Sequence, residues 1–168
     1  DPLAAALSGL TVALSGGGGA GEGASGRSSR LYRALVDPGL ATESEASFSL
    51  MKDPYLFWVE ASLRPGVPHA AVEAVLLEQL ARIAAEPLGD DELARVRRQM
   101  LAGTAYPTDT TTGRAYQLGQ LLSSGAARSI GEWYDRLAAV TAEDLQAAAA
   151  ATFVERSRTV GWYVPEPA

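Results

Sequence analysis

SGGGGAGEGASGRSSRLYRALVDPGLA, residues 15–41, decides how the rest of the chain is read. Six glycines fall within Gly16–Gly23, a short basic and aromatic segment follows, and Pro38-Gly39 closes it. Glycine loses more backbone freedom on ordering than any other residue, so such a run is either a connector or a place where another backbone comes close. Upstream, Leu3, Leu7, Leu10 and Leu14 recur at the spacing of one helical face. Asp1 as cap and Pro2 at the first helical position suit the start of that helix. Entering directly on a helix is the expectation for a domain that lacks an element before it. Downstream, Ser28 or Ser29 can cap a second helix that buries Leu31 and Leu35.

The chain then changes period. From Leu40 to Met51, Leu40, Thr42, Ala46, Phe48 and Leu50 point one way, and Glu43, Glu45, Ser47 and Ser49 the other, as in a half-buried strand. Lys52-Asp53-Pro54 is a turn, and Tyr55 to Leu63 reads as a second strand with Tyr55, Phe57, Val59 and Ala61 inward. Helical spacing returns at Val72, Val75, Leu76, Leu80 and Ile83, and again at Leu93, Val96, Met100 and Leu101. Two more helices carry Leu118, Leu121 and Leu122, then Ile130, Trp133, Tyr134 and Leu137. Thr141-Ala-Glu-Asp144 resembles a capping box and opens a last helix with Leu145 and Phe153. Thr159 to Val164 alternates around Val160, Trp162 and Val164 as a closing strand. The predicted class is α+β: an antiparallel sheet, hairpin plus carboxy-terminal strand, covered by several helices. Residues 1–168 read as one domain, with no internal repeat and no linker.

Composition removes several function classes. With 47% hydrophobic and 20% charged residues the chain can bury a core. Fourteen basic against twenty acidic residues leave −6, which opposes nucleic-acid binding and adsorption to anionic membranes. There is no cysteine, so disulfides, thiolate metal sites and cysteine nucleophiles are excluded, while the compartment stays open. His69 is the only histidine, and neither H-x-x-E-H nor H-E-x-x-H occurs, so a catalytic zinc site is not expected in this chain. His69 beside Pro68 reads as a solvated residue at a helix start.

Other candidates each meet a plainer reading. Gly19, Gly21 and Ala24 match G-x-G-x-x-A, the dinucleotide fingerprint that would seat a pyrophosphate on the following helix. That fingerprint needs a strand before it and a parallel βαβ unit around it, whereas helical spacing precedes it and a hairpin follows. Glu43 and Glu45 share a strand face and could suggest an acid–base pair, but a polar outer face explains them as well. Ser28 and Ser29 have one histidine in the whole chain to serve a triad. Trp58, Trp133 and Trp162 fall at periodic positions that suit a core. Arg27, Arg30 and Arg33 flank the glycine run and suit either an acidic partner or a solvated face.

The Ala/Leu-rich helix, Gly16–Gly19, Gly26–Val36 and Gly39–Ala41 together closely resemble the carboxy-terminal domain of the M16 zinc peptidases. That is the family of insulin-degrading enzyme, pitrilysin and the mitochondrial processing peptidase. The hairpin, Asp91-Glu92-Leu93 and Val140–Leu145 fit the same layout, so the likeness covers nearly the whole chain. The resemblance implies two related halves closing around an unfolded peptide, with zinc held by H-x-x-E-H in the amino-side half. This chain would be the zinc-free half, without a cofactor of its own, partnered by a zinc-bearing half in the same or a separate chain. In many members the second half also supplies an Arg and a Tyr that hold substrate. At the corresponding places this sequence has Val36 and Thr42, one residue closer together than usual, so that grip is not expected here. The long glycine loop is similar to that of the non-catalytic processing-peptidase subunit, where it is associated with substrate capture. The implied substrate contacts are Gly16, Gly17, Gly18, Gly19, Gly21, Gly23 and Arg30, to an extended peptide. Two alternatives stand beside this: a structural M16-like subunit without peptidase function, and a nucleotide-binding domain using the glycine run.

Overall fold

A computed structural model describes residues 3–16, 26–53, 55–105 and 109–164. The central element is helix α1, Ala4–Ser15, whose sequence AAALSGLTVALS contains no charge. Such a helix is apolar on every side and must be buried all round. Leu10, Ala13 and Leu14 are fully enclosed, with Ala6, Leu7 and Val12 nearly so. The helix packs against a hairpin and against the helices Asp90–Ala105, Ile130–Ala139 and Ala142–Thr152. Gly9 permits the closest of these approaches: a Cβ there would stand 2.5 Å from Leu145 Cδ2.

After α1 the described chain resumes at Gly26. A helical turn at residues 30–31 widens into a π-helical segment, Tyr32–Val36, in place of the α-helix expected there. Asp37 donates its N–H to the Tyr32 carbonyl at 3.0 Å and Leu40 to Leu35 at 2.9 Å, both i to i+5 bonds. Leu31 and Leu35 are enclosed as their spacing predicts. Gly39, with φ +81°, turns the chain into strand β1, Ala41–Phe48.

Strand β1 pairs antiparallel with β2, Phe57–Leu63. The register sets Ala46 against Val59, Glu45 against Glu60 and Ser47 against Trp58, with an irregularity between Ala41 and Glu43. That extra residue explains a departure from simple alternation. Ala41, Ser44 and Ala46 are buried, whereas Thr42, expected inward, is exposed and donates its hydroxyl to the Ser62 carbonyl at 3.1 Å. Tyr55 lies before β2 and is exposed rather than inward.

Among the described residues five further α-helices follow: α2, His69–Ala85; α3, Asp90–Ala105; α4, Thr111–Ser124; α5, Ile130–Ala139; and α6, Ala142–Thr152. Three have hydroxyl caps. Thr110 Oγ1 accepts from Gly113 N, Ser129 Oγ from Glu132 N, and Thr141 Oγ1 from Asp144 N, while the Asp144 carboxylate accepts from Thr141 N in a full capping box. Longer ties close the helical layer: Arg97 Nε donates to the Val140 carbonyl at 2.7 Å, and Gln146 Nε2 to Ala85 at 2.8 Å. Phe153 meets Phe57 edge to face at 5.1 Å, joining the end of α6 to β2.

The architecture is α+β, a two-stranded antiparallel sheet packed against helices. A second expected element differs. Residues 159–164 are not paired as a strand among the described residues. They run past the amino end of α2, where the Trp162 ring stacks on His69 at 5.3 Å and Trp162 Nε1 donates to Glu73 at 3.0 Å. His69 Nε2 lies 3.3 Å from the Tyr163 carbonyl. The alternation of apolar residues that suggested a strand is real, but Val160, Trp162 and Val164 are all exposed. Trp58 and Trp162, assigned to the core by periodicity, are about half exposed, at 50% and 54%; Trp133 alone is buried.

Candidate functional site: the neck of the glycine stretch

The site is built where the glycine stretch leaves α1 and returns. Gly16 ends α1 in the left-handed region, φ +87°, with its N–H bonded to the Val12 carbonyl at 2.8 Å. Ser15 supplies the next bond: its carbonyl accepts from Gly26 N at 3.0 Å. The two strands of the neck are in backbone contact. A Cβ on Gly16 would lie 2.6 Å from Gly26 N and 2.9 Å from Gly26 Cα, so only glycine fits. The buried Ser15 hydroxyl is shared between the Thr11 carbonyl at 3.0 Å and the Ala46 carbonyl at 3.1 Å, which fixes this end of α1 to β1.

Beyond the neck, Ser29 N donates to the Gly26 carbonyl at 2.8 Å, and the enclosed Ser29 hydroxyl accepts from Tyr32 N at 3.4 Å. The capping expected of this serine pair falls to Ser29. Ser28 turns outward and accepts from Arg95 Nη1 at 3.2 Å. Arg30 makes a two-pronged bond with Glu92 on α3: Nε to Oε1 at 2.9 Å and Nη2 to Oε2 at 2.8 Å. Both side chains are mostly buried, at 17% and 19% exposed. The fork holds the Glu92 carboxyl below its ordinary 4.5, against the opposing effect of burial, and Arg95 and Arg33 act in the same direction by charge. The same contact raises Arg30.

Of the residues expected to touch substrate, Gly16 is therefore part of the neck and Arg30 is tied to α3. Gly17, Gly18, Gly19, Gly21 and Gly23 lie outside the described residues. Arg27 and Arg33 are exposed. The context that a dinucleotide fingerprint requires is missing, since α1 is a helix and the sheet after it is an antiparallel hairpin. Glu92 and Arg95 were not singled out as site residues from the sequence. Their partners lie more than sixty positions away, and no local pattern marks such a pair. The described residues offer no cradle for a zinc ion: no three His, Asp or Glu side chains come together among them, and His69 is engaged with Trp162 and Tyr163.

Comparison with known proteins agrees with this layout. The profile of the family described as "Peptidase M16 inactive domain" matches residues 1–100. Among solved structures, a "putative zinc protease" from Bordetella pertussis Tohama I is 27% identical with a TM-score of 0.83, over 99% of this chain and 87% of that one. The "Inactive Peptidase Domain of a Putative Zinc Protease" from Bordetella parapertussis is likewise 27% identical with a TM-score of 0.83, over 100% of this chain and 87% of that one. A protease from Helicobacter pylori shares the fold at 18% identity and a TM-score of 0.78, covering 92% of this chain and 35% of that one. No curated protein sequence matches this chain. With more than half of its residues matched by the family profile, the chain belongs to the peptidase M16 family, as its inactive domain.

Proposed function

We infer that this chain is the non-catalytic half of an M16-type zinc protease and forms part of the wall against which a peptide is held. Hydrolysis takes place at a zinc carried by another domain or chain. The observation that carries this reading is the match to the inactive domain, together with a histidine count of one. Without H-x-x-E-H the chain has no means of activating a water on zinc. Its contribution is therefore position.

The neck gives that contribution a physical basis. Both ends of the glycine loop are pinned, at Ser15–Gly26 and again at Arg30–Glu92. A loop poor in side chains, springing from a fixed base, lets a peptide backbone approach closely without demanding a particular sequence. Gly16, Gly17, Gly18, Gly19, Gly21 and Gly23 would line that approach. Arg30, with two of its three nitrogens on Glu92, would hold the loop's base while offering its remaining edge. Residues 17–25 form the loop to be shortened in the test, with the protease assembled from this chain and its zinc-bearing half. Replacing them by two glycines should raise KM for a peptide while leaving kcat nearly unchanged, the mark of lost ground-state binding. An unchanged KM would remove the loop from substrate binding.

A further inference from the structure

Residues 159–164 read TVGWYV, with no charge, no proline and a strand-favouring side chain everywhere except Gly161. Arg158 leads in from the extended region, φ −92° and ψ 133°, and neither turn nor bend interrupts the chain up to Val164. Side chains hold the segment in place, with Trp162 stacked on His69 and bonded to Glu73. Even so, Val160, Trp162, Tyr163 and Val164 stay between 46% and 87% exposed. Soluble proteins usually break up an ordered, uncharged strand of this kind with lysine, proline or a bulge. Here charge and proline stand only at its ends, at Arg158 and Pro165. The two edges of the segment also differ. In a strand the N–H and C=O of one residue point to the same edge, and those of the next residue to the other. On the edge of residues 161 and 163, the Tyr163 carbonyl lies 3.3 Å from His69 Nε2, and the next residue there, Pro165, has no N–H. On the edge of Val160, Trp162 and Val164, no main-chain group has a partner among the described residues. That edge is self-complementary. Paired antiparallel about Trp162, two copies set Val160 opposite Val164 at both ends and Trp162 opposite itself, so all three residues exchange N–H···O=C bonds. In sequence the same register brings Arg158 opposite Glu166.

We propose that residues 159–164 are a self-association edge, pairing antiparallel with the same segment of a second copy of this chain about a twofold axis at Trp162. Such a contact uses the same patch on both copies and closes on itself, so it ends at two chains. The strand is already held in place, which lowers the ordering cost of association. Cross-strand pairing adds contacts among the Val160, Trp162 and Val164 side chains and matches opposite charges at the flanks. The proposal goes beyond the peptide-holding reading and uses none of the neck residues, so either can fail without the other.

The test is the mass of the 168-residue chain in solution, followed by sedimentation over a range of concentrations. The parent should pass from one chain to two and stop there. V160K/V164K sets lysine opposite lysine at both ends and should weaken association about thirtyfold, whereas V160K/V164E sets lysine opposite glutamate and should stay within about threefold of the parent. A second measurement reads the register directly, because the chain has no cysteine of its own. Residues 161 and 163 oppose one another in a pair without main-chain bonds, about 4.5 Å apart at Cα, which suits a disulfide. A Cβ at Gly161 would meet nothing within 4 Å, and Tyr163 is 87% exposed, so neither substitution disturbs packing. Under mild oxidation a mixture of Gly161→Cys and Tyr163→Cys proteins should cross-link far faster than either alone. A parent that stays a single chain at every concentration, or one that grows past two chains, would overturn the proposal. So would equal association of the two double-charge variants, or cross-linking of either cysteine protein alone as fast as the mixture.

Discussion

Gly16 and Gly39 have nearly the same backbone conformation, φ +87° and +81°, yet they have different reasons for being glycine. Around Gly39 a Cβ would meet nothing within 4 Å, so alanine there bears only the left-handed penalty, about 1 kcal/mol. At Gly16 the Cβ also collides with the Gly26 backbone, and Gly16→Ala should cost about 2–4 kcal/mol, with the neck opened. Urea unfolding of the two variants checks the difference; equal losses would mean that the neck is not closed in solution. Glu92 makes a second prediction at this scale. Its folded-state affinity for protons is lowered, so its stabilising effect is fully present above the ordinary carboxylate value of 4.5 and is lost as pH falls through the lower folded value. Glu92→Gln should be less stable than the parent by about 1–2 kcal/mol at neutral pH, and the gap should close in acid. A gap that stayed constant down to pH values well below 4.5 would show that the charge on Glu92 is not what matters.

At the scale of elements, α1 was readable because every fourth or third residue is leucine, and α6 because Thr141 and Asp144 carry a capping pattern in four consecutive residues. Both signals are local. The π-helical turn at Tyr32–Val36, the irregular pairing near Thr42 and the placement of residues 159–164 were not readable, because each depends on what the segment meets in space. Apolar alternation at Val160, Trp162 and Val164 states that a strand is possible; whether it pairs is set by the neighbouring edge, which no short window contains. The neck divides in the same way. The glycines announced it, whereas the Arg30–Glu92 fork that anchors it joins residues 62 positions apart. The capping box supplies a prediction that belongs to this scale. Thr141→Ala should cost about 1 kcal/mol, read as a lower midpoint in urea without a change in m. A loss well above that would mean that Thr141 also supports the Arg97–Val140 tie beside it.

For the whole molecule, the arrangement has a consistent division of labour. An uncharged helix, α1, lies in the core and packs against the hairpin and against α3, α5 and α6. At its carboxy end Ser15 ties the chain to β1, and beyond Gly26 Arg30 ties it to α3. Metal-binding side chains are not brought together among the described residues, and the family to which the chain belongs describes this half as inactive. On the function proposed above, such a chain acts by completing a chamber. The most direct measurement is peptide turnover by a zinc-bearing M16 half as this chain is titrated in. The account predicts no hydrolysis by this chain alone, and a rate that rises and saturates near one chain per zinc-bearing half. A zinc-bearing half whose turnover is unchanged at every ratio would contradict it.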